Sequence, residues 1–281
     1  MLDATTIDAL LTEATALLEG VSATPRLDAE VLLAHCLDRN RTYLFAWPER
    51  TPTDEQVTHF RSLTARRSAH TPLAHLTEAR EFWSLDFRVT RDTLVPRPDT
   101  ELLVELAIDC LRQTRGPVLD LGTGTGVVAV CIASEFPDIR VDAADSSSAA
   151  LKVAQFNADH HQTAVNFVKS DWFSKVNHRD YRLIVSNPPY LAADDEHLTR
   201  DGLQHEPRAA LVAGDDGLDA IKQIINQAEN YSGKNAAVMI EHGHKQGSEV
   251  RSLMQKQGFQ QVTTHRDIES RERVTLGRLN K

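Results

Sequence analysis

The sequence predicts an α/β protein whose main domain is a doubly wound, mostly parallel sheet with helices on both faces. From Pro117 onward, short apolar strands alternate with segments of helical periodicity, which is the pattern of a parallel sheet. A glycine-rich turn at residues 122–126 follows the first of these strands, and open α/β sheets bind ligands at such strand ends. The first seventy residues have apolar side chains at helical spacing, so a small helical domain should precede the sheet.

Residues 1–72 are predicted to form this helical domain. Pro25 suits the first turn of a helix, where its missing N–H costs no hydrogen bond. Thr53 is a candidate N-cap for a helix that extends to about residue 69. In the next segment, 73–95, residues 81–89 are rich in β-formers and partly alternate between apolar and polar. We therefore expect a β-hairpin, or short strands, that link the two domains.

The sheet domain is expected to span residues 96–281. Asp99 and Glu101 precede an apolar run at 102–111, as in the acidic first turn of a helix. Two strands after the last helix predict an antiparallel hairpin at the sheet edge. The predicted strands are 118–121, 139–144, 165–169, 183–186 and 236–240, then 259–264 and 274–279, and helices are predicted at 127–136 and 149–160.

Composition and charge argue against several classes of protein. Of 281 residues, 41% are hydrophobic and 25% are charged, as is usual for globular proteins. No apolar run approaches the roughly 18–20 residues of a membrane span, and the first residues lack the layout of a signal peptide, so we expect a cytoplasmic protein. The net charge of −9 disfavours a nucleic-acid substrate, because phosphate binding usually needs a basic face, and favours a protein substrate.

No metal site is predicted. The cysteines, Cys36, Cys110 and Cys131, are widely spaced and form no CxxC pair, so we interpret them as buried free thiols. His242 and His244 could suggest a pair of ligands, but no set of carboxylates or thiols accompanies them. We interpret both histidines as surface or loop residues.

The glycine-rich turn is a candidate cofactor site, with a structural turn that binds no ligand as the alternative. Glycine allows both a positive φ and the close approach of a ligand. After Asp120 the turn reads Gly122-Thr123-Gly124-Thr125-Gly126, a G-x-G-x-G spacing, whereas dinucleotide folds use G-x-G-x-x-G. The spacing resembles the cofactor loop of class I methyltransferases, whose S-adenosylmethionine has a sulfonium cation and no phosphate.

Residues at the next two strand ends are candidate partners of the same cofactor. Asp145 comes 23 residues after Gly122, and a carboxylate there can accept hydrogen bonds from both ribose hydroxyls. Asp171 and Trp172 follow the third strand, where the resemblance places the adenine. Core packing is the alternative role for Trp172, and a helix N-cap is the alternative for Asp171.

The tetrapeptide Asn187-Pro188-Pro189-Tyr190 follows the predicted strand at 183–186, at the same sheet edge as the glycine turn. We predict that it binds a planar N–H₂ group and promotes its methylation. The Asn187 side-chain oxygen and the Pro188 carbonyl can accept the two N–H bonds, and the Tyr190 ring can cover the group. Pro188 and Pro189 lack N–H donors and stiffen the loop. A rigid turn capped by asparagine is the alternative.

The chemical reason for two acceptors is that an amide nitrogen is a poor nucleophile, since its lone pair is delocalised. Acceptors that strengthen their hydrogen bonds as positive charge develops on the nitrogen stabilise the transition state. Rigid placement in line with the methyl group supplies a further part of the rate. Groups of this kind occur in adenine, guanine and glutamine.

Further segments match one family over nearly the whole chain. They are PRPDTE at 96–101, DWF at 171–173, EPRAAL at 206–211, GDDGL at 214–218, DI at 267–268 and RV at 273–274. Together with the tetrapeptide, they resemble the protein-(glutamine-N5) methyltransferase family that modifies peptide chain release factors. Two positions depart from the family pattern: Asp99, where Glu is more common, and His242, where a small apolar residue is usual.

The resemblance implies the class I methyltransferase fold, S-adenosylmethionine as cofactor, and the glutamine of the Gly-Gly-Gln loop of bacterial class I release factors as substrate. It also implies that the N-terminal domain helps to dock the factor. The residues alone leave three alternatives open: a glutamine methyltransferase of a ribosomal protein, a nucleic-acid amino methyltransferase, and a non-catalytic module that retains the cofactor pocket.

Overall fold

A computed structural model describes residues 5–199 and 202–280, which form two compact units. The described residues of the first unit are 5–78 and 202–205, and those of the second are 79–199 and 206–280. No helix within these ranges has the length and apolar character that crossing a membrane requires.

The first unit is helical, as the periodicity of the sequence predicts. Thr53 caps one helix with a capping box, in which its side chain accepts from the Gln56 backbone N–H and the Gln56 side chain accepts from the Thr53 N–H. Pro25 begins another helix at its first turn. Buried leucines and Phe60 form the core. The helices are α1 Ile7–Leu18, α2 Pro25–Leu37, α3 Arg41–Ala46, α4 Asp54–Ser68 and α5 Leu73–Thr77.

The predicted hairpin is present, but it is shorter than the segment 73–95 proposed as a linker. β1 (Ala79–Phe82) pairs antiparallel with β2 (Leu85–Arg88). The turn residues Trp83 and Ser84 have φ values of 54° and 58°, which is the geometry of a two-residue hairpin turn. Residues 73–77 form α5 instead, because Leu76 is buried in the helical core and short apolar segments take the structure that their packing favours.

The second unit has a seven-stranded sheet. In chain order, its remaining elements are α6 Glu101–Gln113, β3 Val118–Leu121, α7 Val127–Glu135, β4 Val141–Asp145, α8 Ser148–His160, β5 Val165–Lys169, β6 Tyr181–Ser186, α9 Asp219–Tyr231, β7 Ser232–Glu241, α10 Gly247–Lys256, β8 Gln260–Arg266 and β9 Glu272–Leu279. The strand order is β5-β4-β3-β6-β7-β9-β8. β3 to β7 are parallel, and β9 is antiparallel to β7 and β8, which confirms the predicted fold class.

Both faces of this sheet are covered, because successive side chains of a strand point to opposite faces. Val118 lies in the core that contains α6 and α7, whereas Leu119 and Leu121 lie in the core that contains α9 and α10. Burial on both faces explains why successive apolar residues occur in the central strands, as at Leu183, Ile184 and Val185 of β6. The connections reverse direction between β3 and β6, and such switch points open a crevice for ligands.

Asn157 of α8 joins the hairpin to the glycine turn. Its side chain is fully buried, and its Nδ2 donates to the carbonyl oxygens of Arg88 at 3.0 Å and Thr125 at 2.9 Å. Its Oδ1 accepts from the Arg88 backbone N–H at 2.8 Å. One side chain thus satisfies three backbone groups from two segments that are distant in sequence.

We expect Asn157→Ala to lower the free energy of unfolding by about 2–4 kcal/mol, because it removes three hydrogen bonds in buried or partly buried surroundings, at roughly 0.5–1.5 kcal/mol each. Urea unfolding followed by circular dichroism measures this loss. Gln155→Ala is the matched control, since Gln155 is exposed on the same helix and should change stability by less than about 0.5 kcal/mol. Similar losses in both variants would contradict the bridging role of Asn157.

Candidate active site

The glycine turn joins β3 to α7 at the carboxyl edge of the sheet. Gly122, Gly124 and Gly126 have φ values of 70°, 55° and 83°, a conformation that other residues rarely adopt. Gly126 also approaches α8, since a Cβ atom there would lie 3.0 Å from the Cβ of Ala154. Glycine at 126 is therefore required both by the backbone and by the packing of α8.

Asp120 is buried beneath this turn, with 2% of its surface exposed. The Thr123 hydroxyl donates to its Oδ2 at 2.6 Å. Burial raises the pKa of the Asp120 carboxyl to about 7; the Thr123 hydrogen bond opposes the rise and the negative charge of Asp145 adds to it. Near neutral pH this carboxyl therefore exchanges between its protonated and ionised forms.

Asp145 ends β4 and faces the glycine turn. Its Oδ2 accepts from the Gly124 N–H at 2.9 Å, and its Oδ1 accepts from the Ser147 N–H at 2.8 Å. Each carboxylate oxygen can accept a further hydrogen bond. The group can therefore still bind two vicinal hydroxyls, such as those of a ribose.

Trp172 lies beside Gly122, where an added Cβ atom would be 3.5 Å from the Trp172 ring. The residue has a φ of 46°, and the Ser170 hydroxyl donates to its carbonyl oxygen at 2.7 Å. Its ring packs against the core and also lines a cavity. Core packing and contact with a cofactor are therefore compatible roles for Trp172. Asp171 is exposed and begins a turn rather than a helix, which removes the alternative of a helix N-cap.

The Asn-Pro-Pro-Tyr segment leaves β6 next to the glycine turn. β3 and β6 pair in parallel with Leu121 opposite Ser186, and the Ser186 hydroxyl donates to the Leu121 carbonyl at 2.7 Å. Asn187 is the first residue beyond β6 and is half-buried. Its Nδ2 donates to the Thr100 hydroxyl at 3.0 Å, which leaves Oδ1 as the atom of this amide that can accept from a ligand.

Tyr190 is held through its backbone. The Gln246 side chain donates to the Tyr190 carbonyl at 3.0 Å, and a Cβ atom on Gly217 would lie only 2.3 Å from the same oxygen. Burial raises the pKa of Tyr190 to about 12, and the nearby Glu241 adds to the rise. The hydroxyl therefore stays protonated at neutral pH, and the ring is a neutral surface rather than a base.

Residues 206–214 support the chain that follows the tetrapeptide. Leu191 and Val212 form an isolated parallel bridge, flanked by backbone hydrogen bonds of 2.9 and 3.0 Å. At the start of this segment, the buried Glu206 accepts from the Val95 N–H at 2.8 Å and from the Arg97 guanidinium. The segments that the sequence marked at 96–101 and 206–211 are thus joined by an ion pair.

A cavity of about 270 Å³ connects the two motifs. Its wall includes Asp120, Asp145, Asp171, Trp172, Asn187, Pro189 and residues 122–125, together with parts of 92–100 and 207–210. Of the predicted site residues, all of which the structure describes, Gly126, Pro188 and Tyr190 lie outside this wall. The cavity therefore brings the glycine turn and Asn187 together.

Several residues at the carboxyl edge of the sheet had no role predicted from the sequence. They are Thr100, Glu241, Gln246 and the pair of Arg97 and Glu206. Glu241 could have been found, because it is a polar residue that ends an apolar strand, the same signal that marks Asp145. It is 1% exposed, and its Oε2 has no hydrogen-bond partner among the described residues. Burial raises its pKa to about 7, against the opposing effect of Thr100 and Arg273.

His242 lies in a loop, as expected, but the expectation that it is a surface residue was wrong. Its side chain is fully buried. Nδ1 lies 2.9 Å from the Gly243 carbonyl and Nε2 lies 2.8 Å from the Thr275 hydroxyl. Because a carbonyl only accepts, Nδ1 carries the proton. Burial lowers the pKa of His242, so it is a neutral structural side chain.

The fold and this site define the class of protein. The strand order, the G-x-G-x-G turn after β3 and Asn-Pro-Pro-Tyr after β6 are features of a class I methyltransferase. A methyltransferase from Pyrococcus furiosus shares the fold with a TM-score of 0.55 at 16% identity, covering 77% of this chain and 100% of that one. The Thermus thermophilus 16S rRNA N2 G1207 methyltransferase, solved with AdoMet and guanosine, has a TM-score of 0.53 at 16% identity, covering 71% and 49%.

The family follows from closer relatives. The family model for the PrmC N-terminal domain matches residues 9–77 of this chain. The family model for the methyltransferase small domain matches residues 99–214. The release factor glutamine methyltransferase of Escherichia coli (strain K12) is 45% identical over 258 residues, which cover 92% of this chain and 93% of that protein. That of Coxiella burnetii is 43% identical over 263 residues, covering 93% and 94%. The chain belongs to the release factor glutamine methyltransferase family.

We expect part of the stability of this protein to be lost as pH rises from about 5 to 7, because of Asp120. Its pKa of about 7 in the folded state exceeds the value of 3.8 for an unperturbed Asp. In that window the native state holds a proton that the unfolded state has released, so the free energy of unfolding falls with rising pH. Asp120→Asn should remove this part of the slope and raise the Tm at pH 8 by several degrees.

Thermal unfolding between pH 5 and pH 8 measures the slope. Asp109→Asn is the control, because Asp109 is 57% exposed and its exposed ion pair contributes little. An unchanged slope in Asp120→Asn would show that this carboxyl is ionised throughout the range.

Proposed function

We propose that the protein transfers a methyl group from S-adenosylmethionine to the side-chain amide nitrogen of the glutamine in the Gly-Gly-Gln loop of peptide chain release factors. It would do so in the cytoplasm, where these factors act in translation termination. One observation carries the proposal: Asn187 lies on the cavity wall with its Nδ2 engaged by Thr100. Membership of the family supports the choice of a glutamine over a nucleic-acid base.

The proposed catalytic residues are Asn187, Pro188 and Tyr190. The Asn187 Oδ1 and the Pro188 carbonyl accept the two N–H bonds of the substrate amide, which orients its nitrogen. Both hydrogen bonds strengthen as the nitrogen becomes positive, so they favour the transition state over the ground state. Pro189 offers no competing N–H, and the neutral Tyr190 ring covers the planar amide.

The residues of the cavity fit S-adenosylmethionine. When bound, this cofactor supplies an electrophilic methyl group. Asp145 retains acceptor capacity on both carboxylate oxygens, which suits a ribose diol. Any side chain at 122 would contact Trp172, so glycine there keeps the space beside the ring open. We propose that residues 122–126, Asp145, Asp171, Trp172 and Asn187 form the cofactor site.

We also propose that the N-terminal domain, residues 1–72, contributes to docking of the release factor. Its surface carries Phe45 and Trp47, which are 59% and 45% exposed. The guanidinium of Arg41 lies 6.0 Å from the Phe45 ring centre, and that of Arg50 lies 4.9 Å from the Trp47 ring centre. Aromatic and arginine side chains are enriched in protein interfaces, and the proposed partner is the release factor.

Asn187→Ala is expected to lower kcat at least about a hundredfold, the usual effect of removing one hydrogen bond to a developing charge, without weakening cofactor binding by more than a few-fold. The assay follows labelled methyl transfer to purified release factor, and mass spectrometry locates the label. Asn166→Ala is the control, because Asn166 lies on β5 away from the cavity. Label in ribosomal proteins or nucleic acid, or on another residue of the factor, would refute the proposal. Cofactor binding without transfer would indicate a non-catalytic module.

The double variant Phe45→Ser with Trp47→Ser is expected to raise KM for the release factor about tenfold, since truncating interface aromatics costs about 1–2 kcal/mol. It should leave kcat unchanged, because these residues belong to the first unit and the catalytic residues to the second. Leu17→Ser controls for the loss of an equally exposed apolar side chain, 52% exposed on α1. An unchanged KM in the double variant would rule out this docking surface.

A further inference from the structure

We propose that Thr100 and Glu241 are positioning residues that hold the Asn187 amide in the one orientation that presents Oδ1 to the substrate. The inference rests on the proposed function of Asn187. An asparagine amide has two flip states of similar shape, one with an acceptor and one with two donors at a given place. Only the state with Oδ1 toward the substrate can accept an N–H bond from a glutamine amide.

Three elements bring these side chains together. Thr100 is the last residue of a short 3-10 turn before α6, Asn187 follows β6, and Glu241 ends β7. β6 and β7 are parallel with Ser186 opposite Ile240, so Asn187 and Glu241 are the next residues on neighbouring strands. Thr100 is 3% exposed and Glu241 is 1% exposed. The contact of Asn187 Nδ2 with the Thr100 hydroxyl, 3.0 Å long, is therefore largely removed from water.

The direction of the hydrogen bonds follows from the chemistry of the three groups. An ionised carboxylate only accepts, so the Thr100 hydroxyl donates its single proton to Glu241 and keeps its lone pairs for Asn187. The Thr100 and Asn187 side chains both lower the pKa of Glu241, as donors to its carboxyl do. If the Asn187 amide flipped, Oδ1 would face oxygen atoms that have no proton for it. The flipped state is therefore disfavoured.

Packing alone does not explain why residue 241 is a carboxylic acid. A buried carboxyl costs much more free energy than an amide of the same shape, and its Oε2 has no hydrogen-bond partner among residues 5–199 and 202–280. A glutamine would fill the same space, but its side chain could donate hydrogen bonds as well as accept them. An acceptor-only group at this position is required if the Thr100 proton must point away from Asn187.

The charged groups that act on Glu241 are Arg273 and Asp99, and Glu241 acts in turn on the neighbouring Tyr190, together with Arg273, Asp99 and Arg97. Arg273 is itself fixed between Asp99, at 2.8 Å, and Asp267, at 2.9 Å. Burial dominates and raises the pKa of Glu241 to about 7. Below that pH the carboxyl gains a proton that it can donate to Thr100, so the preference for one flip state of Asn187 weakens.

The first test compares Thr100→Val, which removes the hydroxyl and keeps the shape, with Thr100→Ser, which keeps the hydroxyl. We expect Thr100→Val to lower kcat about ten- to a hundredfold, as misoriented catalytic groups do, while the Kd for S-adenosylmethionine changes less than about twofold. Thr100→Ser should restore most of kcat. Equal activity of the two variants, or a loss confined to cofactor affinity or Tm, would overturn the inference.

The second test does not depend on the substrate. In ¹⁵N-labelled protein, the side-chain NH₂ signals of Asn187, identified by their absence in Asn187→Ala, should shift with pH around a midpoint near 7. Glu241→Gln should abolish this titration. Signals that do not titrate, or that titrate unchanged in Glu241→Gln, would overturn the inference. If the signals behave as expected while release factor is not methylated, the positioning pair stands and the proposed function fails.

Discussion

The parallel pairing of β3 with β6 is the constraint on which the site depends. Leu121 lies opposite Ser186, and the Ser186 hydroxyl donates to the Leu121 carbonyl at 2.7 Å. Because both strands run in the same direction, the chain leaves them at one edge, and the glycine turn and Asn187 emerge side by side. A slip of two residues would move Asn187 by about 7 Å along the strand. Burial of both faces of the sheet holds the register.

Two acidic residues are buried along the carboxyl edge of the sheet, although charged groups ordinarily prefer water. Asp120 and Glu241 are each almost fully buried, and burial raises the pKa of both to about 7. Packing alone would favour apolar or amide side chains at these positions. Buried carboxyls with perturbed pKa values are typical of functional sites. Here they keep acceptors in place beneath the glycine turn and beside Asn187.

The fold by itself does not determine which group of the substrate is methylated. The Thermus thermophilus enzyme named for a guanine of 16S rRNA has the same fold at 16% identity, as expected when function depends on sites added to a common fold. In this chain the segment 206–214 bridges to Leu191, the residue after the tetrapeptide, through Val212, and it is joined to residues 95–97 through Glu206.

The sequence by itself determined the α/β class, the parallel sheet with its antiparallel end, the helical first domain and the location of two motifs, because these depend on local periodicity and on residues at strand ends. Only the tertiary structure decided the parts that depend on distant partners. Asn187 hydrogen-bonds to Thr100, which is 87 residues away in the sequence. His242 is buried, and its ring forms a hydrogen bond with Thr275 of β9. Residues 73–77 became a helix through the burial of Leu76. Local patterns do not contain these contacts, since packing between elements creates them.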